Sequence, residues 1–172
     1  MTVRANKPAF NIREKLKELT VPRKVEVPCL FWVQRKNSYT SSTSYSVMVY
    51  DDVKLNFGDC YDSSDGSFTV PTTGLYELAW ASIAHNANTV YRYVLHKNGS
   101  NTWDGGVYEL RLDNNATGAE YAPNGEFCVY LELNKGDVLN VRQKNDTGSY
   151  STVYGSPNYL YTYFRGRILK QY

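Results

Sequence analysis

The chain has 172 residues, of which 42% are hydrophobic and 21% are charged, and its formal net charge is +2. This length suffices for one domain with a hydrophobic core of its own. The cations are spread along the chain without a basic cluster, and no apolar run approaches the ~20 residues of a membrane-spanning helix. We therefore expect no nucleic-acid partner and no insertion into a membrane.

The N-terminal segment, residues 1–26, is predicted to be an arm that contains one short helix. A capping-box pattern precedes the apolar residues Ile12, Leu16 and Leu19, whose spacings of four and three place them on one side of a helix. Pro22 ends this pattern. About three helical turns are too few to be stable alone, so the helix must pack either on its own domain or on copies of itself.

From residue 27 onward the sequence predicts short strands and turns, with no further helical period. The predicted strands are Cys29–Val33, Tyr45–Val49, Val53–Leu55, Phe68–Val70, Leu75–Ala84, Val90–Lys97, Val107–Leu112, Phe127–Leu133, Val138–Gln143 and Tyr159–Leu169. The strand that begins at Leu75 is apolar on both faces except at Glu77, and this pattern is typical of a central strand. Asp62–Gly66 has turn chemistry, and Asn134–Asp137 is predicted as a hairpin turn. Ten strands with turns every ~8–12 residues indicate an antiparallel sandwich or jelly roll.

Three cysteines, Cys29, Cys60 and Cys128, can form at most one intramolecular disulfide. Their spacing does not match a metal site. The sequence alone leaves open which two of them pair, and it therefore leaves the redox compartment open as well.

A spaced set of glycine, proline and aromatic residues organises the middle of the chain. In order, its members are Asn56, Gly58, Tyr61, Gly66, Phe68, Pro71, Gly74 and Tyr76. Two later blocks accompany it, one with Gly136 and Asp137 after an apolar strand and one with Phe164 and Gly166 before an apolar end. With these three blocks in this order, the chain from about Val27 to Leu169 resembles the globular head domain of complement C1q and its relatives.

The spaced residues have structural explanations. Gly66 and Gly74 stand where we expect turns with φ values that other residues disfavour. Phe68 and Tyr76 are predicted as core aromatics on adjacent strands, and Gly136 is predicted to permit the hairpin. None of these side chains supplies a catalytic group, so the motif specifies a fold and leaves the ligand open.

The resemblance implies an all-β protein, a ten-stranded antiparallel jelly-roll sandwich over residues 27–172 that assembles as a homotrimer. It implies binding rather than catalysis. Relatives include immune recognition heads, hormones, synaptic organisers and invertebrate lectin-like pattern-recognition proteins. The absence of a collagen-like stalk favours the lectin-like type, a secreted innate-immune protein that binds glycans or other microbial or cell-surface patterns, although the first residues lack the apolar core of a signal peptide. The alternative is a signalling ligand of the tumour-necrosis-factor or C1q type that binds a cell-surface receptor.

The ligand-binding residues are predicted in the loops, where the family pattern is weakest. Trp103, Asp104, Tyr108 and Arg111 combine an aromatic face with carboxylate and guanidinium partners, a set that suits a sugar. The alternative is that Trp103 packs against a neighbouring subunit, because aromatic residues are enriched at oligomer contacts. The tyrosine-rich loop from residue 149 to 161 is the second candidate.

Metal binding and catalysis receive little support from the sequence. The resemblance leaves calcium possible, because some relatives bind it near the trimer axis. Asp113–Gly118 begins like a calcium loop, but Asn124 stands where a bidentate glutamate is needed. The only two histidines, His85 and His96, are predicted to be structural, and no catalytic motif occurs.

Overall fold

The computed structural model describes residues 29–41, 45–83, 89–102, 107–114, 124–145, 151–159 and 161–172. The N-terminal arm with its predicted helix, and His85, lie outside these ranges. The described strands, in chain order, are β1 (Leu30–Gln34), β2 (Tyr39–Ser41), β3 (Ser46–Val47), β4 (Asp52–Phe57), β5 (Tyr61–Asp62), β6 (Ser67–Thr69), β7 (Gly74–Ile83), β8 (Thr89–Lys97), β9 (Tyr108–Asn114), β10 (Asn124–Leu133), β11 (Val138–Asn145), β12 (Ser151–Val153) and β13 (Tyr163–Gln171).

The strands form an antiparallel sandwich, which confirms the predicted all-β jelly-roll class. One sheet has five strands in the order β10-β7-β13-β1-β4. The other has six, with β5-β6-β11-β8-β9 in line and β3 paired to β11, while β12 and β2 form a small sheet of their own. All ten predicted strands are present among the described residues. The structure adds β2, β5 and β12, which have only two or three residues each and carry no readable alternation.

The predicted hairpin at Asn134–Asp137 is wrong. The turn does form, closed by a 3.0 Å hydrogen bond from Asp137 N to Asn134 O, and Gly136 has a φ of +90° within it. It nevertheless joins β10 of the five-stranded sheet to β11 of the six-stranded sheet. Leu133 on β10 and Leu139 on β11 therefore point into the core from opposite sheets. Alternation along a strand shows which residues point inward, but it does not identify the neighbouring strand.

The aromatic motif residues meet across the core rather than along one sheet. Phe68 on β6 and Tyr76 on β7 belong to different sheets, with ring centroids 5.8 Å apart. The expectation that they lie on adjacent strands is therefore wrong. Fully buried Phe31 lies at the centre, with ring centroids 5.0 Å from Phe68 and 4.9 Å from Phe164. The motif thus supplies the contacts that hold the two sheets together.

The two motif glycines are required for different reasons. Gly66 has a φ of +79°, as predicted for a turn residue. Gly74 does not have a positive φ, so that part of the prediction is wrong. A Cβ at Gly74 would lie 2.3 Å from the carbonyl oxygen of Lys170 on the neighbouring strand. Gly74 is therefore needed for close approach between two backbones.

The turn before β6 confirms the predicted local chemistry. Asp62 Oδ1 accepts hydrogen bonds of 2.8 Å from Ser64 N and 2.6 Å from Ser64 Oγ. Asp65 Oδ1 accepts one of 2.9 Å from Ser67 N. Both carboxylates thus hold the backbone of an Asx-type turn, and no cation is needed to explain them.

The structure settles the cysteine pairing. Cys29 and Cys60 form a disulfide and are both buried, whereas Cys128 is a free, exposed thiol on β10. The bond joins the segment before β1 of the five-stranded sheet to the residue before β5 of the six-stranded sheet. It therefore crosslinks the two layers of the sandwich.

Replacing Gly166 with alanine should destabilise the domain by about 1–3 kcal/mol, because the extra methyl group overpacks a closed core. A Cβ at Gly166 would stand 2.5 Å from Phe31 Cε1 and 2.6 Å from Leu78 Cδ2, and both side chains are fully buried. Chemical denaturation measures the effect. Gly99→Ala is the control, because no atom lies within 4 Å of a Cβ there and only its positive φ is strained. Equal losses in the two variants would contradict the overpacking argument.

Candidate functional site

The structure places two of the four residues predicted to bind ligand. Trp103 and Asp104 lie outside the described residues. Tyr108 and Arg111 are both on β9, but residues an odd number of positions apart point to opposite faces of a strand. Tyr108 shares its face with buried Leu110 and packs against the core, whereas Arg111 points outward and is exposed. The fold therefore does not bring Tyr108 and Arg111 to one site.

The two candidate loops leave opposite ends of the sandwich. Tyr154 N donates a 3.2 Å hydrogen bond to Ile83 O, at the last residue of β7. Asn98, which follows β8 and precedes the Trp103 segment, donates from Nδ2 to Asp137 Oδ1 at 2.9 Å. Asp137 lies in the turn after β10, whose last residue pairs with Gly74 at the first residue of β7. The ten residues of β7 span roughly 30 Å, so Asn98 and Tyr154 lie too far apart to contact one small ligand.

Three tyrosines form a cluster in the second candidate loop. The rings of Tyr159 and Tyr161 are stacked, with centroids 5.1 Å apart and an interplanar angle of 20°. Tyr154 meets Tyr161 edge to face at 5.3 Å. Tyr159 is the outermost member, with 59% of its surface exposed. Tyr154, Tyr159 and Tyr161 are called the tyrosine cluster below. In this cluster the ring of Tyr159 is exposed to solvent and packs on Tyr161, which in turn contacts Tyr154.

Contacts with the loop after β1 and with Thr162 hold this cluster in place. Ser156 N donates to Arg35 O at 3.1 Å, and Thr162 Oγ1 donates to Tyr154 O at 2.7 Å. Gly155 fits directly against Asn37, since a Cβ there would lie 2.2 Å from the Asn37 carbonyl oxygen. The rings are therefore mounted on a loop that is fixed from both sides, which lowers the entropy cost of binding.

The chemistry of the tyrosine cluster suits a sugar. An exposed tyrosine ring offers an apolar face to the C–H groups of a pyranose, and its hydroxyl can donate and accept hydrogen bonds. Asn158, beside Tyr159, is exposed and adds an amide with two donors and an acceptor. The sequence indicated this loop only by its tyrosine content. The stacking could not be predicted, because it depends on how Arg35 and its neighbours hold the loop.

The outward face of the five-stranded sheet carries exposed aromatic side chains. Trp32, Phe57 and Tyr130 are 37%, 57% and 61% exposed. The face also contains a cleft of about 190 Å³ lined by Trp32, Leu55 and neighbouring residues. Exposed apolar surface of this kind on one face of a sheet is typical of a protein–protein contact.

An ion-pair network crosses the same face. Glu77, predicted to sit near a strand end or an interface, is the fourth residue of β7 and is 9% exposed on this outward face. Its carboxylate is 2.8 Å from Arg167 Nη2 and 3.9 Å from Arg165 Nη1, and Arg165 Nη2 is 2.9 Å from Glu126 Oε1. The hydrogen bond that Arg165 donates to Glu126 raises the pKa of Arg165 above its usual value. These charges are already paired within one chain, so they can be covered by a second subunit at lower desolvation cost.

The described part of the chain contains neither a cluster of metal-ligating side chains nor a membrane-spanning helix. No three His, Cys, Asp or Glu side chains within it come together as a metal site. The side chain of Asp113, which begins the calcium-like sequence, lies outside the description. Among the described ranges no helix is long and apolar enough to cross a bilayer.

Comparison with known proteins gives a family match over most of the chain. A model of the C1q domain matches residues 30–169. Human complement C1q tumor necrosis factor-related protein 3 is 28% identical over 105 residues, which are 60% of this chain and 39% of that protein. The matched segment thus spans well under half of the length of that relative.

Solved structures with the same fold come from two related groups. The globular domain of zebrafish complement 1qA protein superposes with a TM-score of 0.55 at 18% identity, covering 84% of this chain and 99% of that domain. Murine APRIL superposes with a TM-score of 0.57 at 15% identity, covering 82% of this chain and 98% of that one. Eiger TNF from S. frugiperda superposes with a TM-score of 0.53 at 14% identity, covering 84% of this chain and 92% of that one. At these identities the likeness concerns the fold alone.

Proposed function

The chain belongs to the C1q domain family, and on this premise we propose that it is a secreted homotrimer that recognises glycans or other microbial or cell-surface patterns. The family consists of ligand and recognition proteins without enzymatic activity, and its domains typically assemble as homotrimers. The chain is thus a recognition or ligand protein. Its ligand, its subunit contact and its secretion are the new parts of the proposal.

The proposed subunit contact is the outward face of the five-stranded sheet, occupied by a second copy of the chain. Trp32, Phe57 and Tyr130 supply exposed aromatic surface there. Ala79 pairs with Arg165 on the same face and is nearly fully buried, and its small side chain would allow a second subunit to approach the backbone closely. Trp and Tyr at the centre of an interface contribute most of its binding energy. The outward face of the other sheet has no comparable set of exposed aromatic side chains among its described residues.

Secretion is supported by the disulfide and by the relatives. Disulfides such as Cys29–Cys60 persist in oxidising compartments and are rare in the cytosol. C1q-domain homologues are extracellular proteins. An extracellular recognition protein would meet microbial or cell-surface glycans directly.

The tyrosine cluster is the observation that carries the proposed glycan recognition. It combines an exposed ring, polar hydroxyl tips and a fixed loop at one end of the sandwich. In a trimer the cluster is presented three times, and multivalent contact raises avidity for repeating sugars without any new contact type. Trp103, Asp104 and the outward-facing Arg111 remain a second proposed set of ligand contacts.

A receptor-directed ligand is the second candidate function. The tumour-necrosis-factor proteins match this fold about as well as the C1q head does. Such a ligand would bind a cell-surface protein, and enzymatic removal of glycans from the cells would leave its binding unchanged. Glycan-dependent binding to cells would exclude this alternative.

Replacing Tyr159 with alanine should weaken glycan binding about tenfold, because the ring contact that it removes is worth about 1.4 kcal/mol. The measurement is an array of mammalian glycans and bacterial polysaccharides, run with and without calcium. Tyr159→Phe keeps the ring and should retain most of the binding. Tyr172→Ala is the matched control, since Tyr172 is 56% exposed at the other end of the sandwich.

The same array tests the Trp103 loop. Loss of binding in Trp103→Ala with retention in Tyr159→Ala would move the site from the tyrosine cluster to Trp103. Unchanged binding in Trp103→Ala would remove Trp103, and Asp104 with it, from the proposed site. Absence of glycan binding by the wild-type trimer would contradict the proposed function itself.

A further inference from the structure

We propose that a groove at one end of the sandwich is a second sugar site, which binds neutral pyranose sugars. The groove has a volume of about 440 Å³ and is called the end groove below, and its lining residues are Thr73, Glu132, Leu133, Asn134 and Tyr172. This volume lies within the range of ligand pockets, roughly 300–1,000 Å³. The proposal extends the proposed glycan recognition, rests on it for the class of ligand, and concerns a surface separate from the tyrosine cluster.

Three neighbouring strands of the five-stranded sheet begin or end at the end groove. Leu133, the last residue of β10, and Gln171, the last residue of β13, both pair with Gly74, the first residue of β7. Tyr172 follows β13, and its backbone N donates a 3.1 Å hydrogen bond to Thr73 O, directly before β7. The strand register thus brings together residues from three distant parts of the sequence.

The polar side chains of the end groove have unused hydrogen-bonding capacity. The side-chain amide of Asn134 makes no hydrogen bond within the described ranges. Glu132 Oε1 accepts a 2.8 Å hydrogen bond from the Tyr172 hydroxyl, whereas Oε2 accepts none from a described residue. Thr73 Oγ1 accepts a 3.0 Å hydrogen bond from Lys135 N, and its own hydroxyl hydrogen has no acceptor in the part of the chain that the structure describes. Together these groups supply both donors and acceptors for the hydroxyl groups of a sugar.

Tyr172 supplies the aromatic surface of the end groove. Its side chain is 56% exposed, so the ring is open to the C–H groups of a pyranose. The ring is held at its hydroxyl by Glu132, and the Lys170 ammonium lies 5.1 Å from its centroid. A ring that is already ordered loses less side-chain entropy when a ligand arrives.

The turn at Asn134–Asp137 forms a fixed wall of the end groove. Asn134 N donates a 2.9 Å hydrogen bond to Asp137 Oδ2. Two backbone hydrogen bonds join this turn to the segment before β7, from Gly136 N to Val70 O at 2.8 Å and from Val70 N to Asp137 O at 2.9 Å. The groove is therefore formed before a ligand binds, which lowers the cost of binding.

The charges around the end groove favour a neutral ligand. The segments that form it contain two acidic and two basic side chains, which are Glu132, Asp137, Lys135 and Lys170. An anionic sugar would approach the carboxylate of Glu132, and a cationic sugar would compete with the ammonium of Lys170 for the Tyr172 ring. A neutral sugar can donate a hydroxyl proton to Glu132 without either penalty, and a hydrogen bond to a charged acceptor is stronger than one between neutral groups.

Two-dimensional NMR of the isotope-labelled protein tests the proposal directly. The probes are the methyl glycosides of glucose, galactose and mannose, with methyl glucuronide as the anionic comparison. At least one neutral glycoside should shift the side-chain amide signals of Asn134 and the backbone amide signal of Lys135, and both shifts should saturate. Methyl glucuronide should bind more weakly than that glycoside.

Three variants examine the groups that would hold the sugar. Glu132→Gln should weaken binding roughly tenfold or more, because it replaces a charged acceptor by a neutral one. Tyr172→Ala should also weaken binding, whereas Tyr172→Phe keeps the ring and should retain most of it. Glu132 and Tyr172 are both exposed, so these variants should fold.

The matched control is Asp59→Asn, which removes one exposed carboxylate from the turn after β4. Strands β4 and β10 are opposite edges of the five-stranded sheet, so this variant should bind as the wild type does. The proposal would be overturned by the failure of all three neutral glycosides to shift these amide signals. Equal losses in Glu132→Gln and Asp59→Asn, or tighter binding of methyl glucuronide, would overturn it as well.

The two sugar sites can be told apart with the same proteins. Sugars bound by the tyrosine cluster should not need Tyr172, and sugars bound in the end groove should not need Tyr159, so each alanine variant is a control for the other site. Array binding that is lost in Tyr159→Ala, with no response of the Asn134 amide to any neutral glycoside, would remove only the end groove. A response of the Asn134 amide with no array binding through Tyr159 would keep the end groove and remove the tyrosine cluster.

Discussion

Replacing Tyr130 with glutamate should convert the trimer into monomers. Tyr130 pairs with Glu77 in the register of β10 and β7, and the two side chains share the outward face of the five-stranded sheet. The substitution removes the most exposed aromatic side chain of the proposed contact and places a second carboxylate beside Glu77. An unpaired charge buried in an interface costs about 3–5 kcal/mol. The penalty recurs at each subunit contact, so the assembly should be lost at micromolar concentration.

Light scattering coupled to size-exclusion chromatography measures this change. The wild type should have about three times the 19.6 kDa mass of one chain, and the variant should have the mass of one chain. Tyr130 is 61% exposed in the single chain, so the variant should still fold. Val138→Glu is the matched control, because Val138 is 37% exposed at the start of β11 in the other sheet. A Tyr130→Glu protein that remains trimeric would show that the subunits meet elsewhere.

The strands and their buried faces could be predicted from the sequence because burial leaves a period of two. Leu75–Ala84 was predicted as a central strand, and β7 lies between β10 and β13 with nearly every residue buried. Glu77 was the exception to its apolar pattern. The structure explains it by Arg167 and Arg165, which come from a strand some ninety positions away in the sequence.

Strand partners could not be predicted, because alternation carries no information about pairing. The chain crosses between sheets at Asn134–Asp137, where a short polar turn looks the same as a hairpin. Phe68 and Tyr76 were correctly predicted as core residues but were assigned to one sheet. The two errors have a common cause: β6 and β7, like β10 and β11, are consecutive in the chain but lie in opposite layers of the sandwich.

The candidate sites show the same limit. The alternation of β9 separates Tyr108 from Arg111, although the two residues are only three positions apart. The tyrosine cluster depends on contacts with Arg35 and Asn37. The composition of a loop can indicate a segment that binds ligands, but a binding surface also needs the side chains that other parts of the fold bring to it.

Replacing Cys29 and Cys60 together with alanine should destabilise the domain by about 3–4 kcal/mol, through the entropy of the unfolded chain. The two cysteines are 31 positions apart, and closing a loop of that length restricts the unfolded state by about this amount. For a domain of this size the melting temperature should fall by roughly 7–15 °C. Thermal unfolding followed by circular dichroism, with and without reductant, measures the effect.

Cys128→Ala is the control that separates this crosslink from the loss of any thiol. Cys128 is free and exposed, so the variant should melt within about 1–2 °C of the wild type, as surface substitutions do. Reductant should lower the melting temperature of the wild type and of Cys128→Ala, but not that of the double variant. Because Cys29 and Cys60 lie in different layers, reduction should loosen the sandwich beside Tyr61 and Phe31. A wild type indifferent to reductant would mean that the bond does not form, and the support that it gives to secretion would be lost as well.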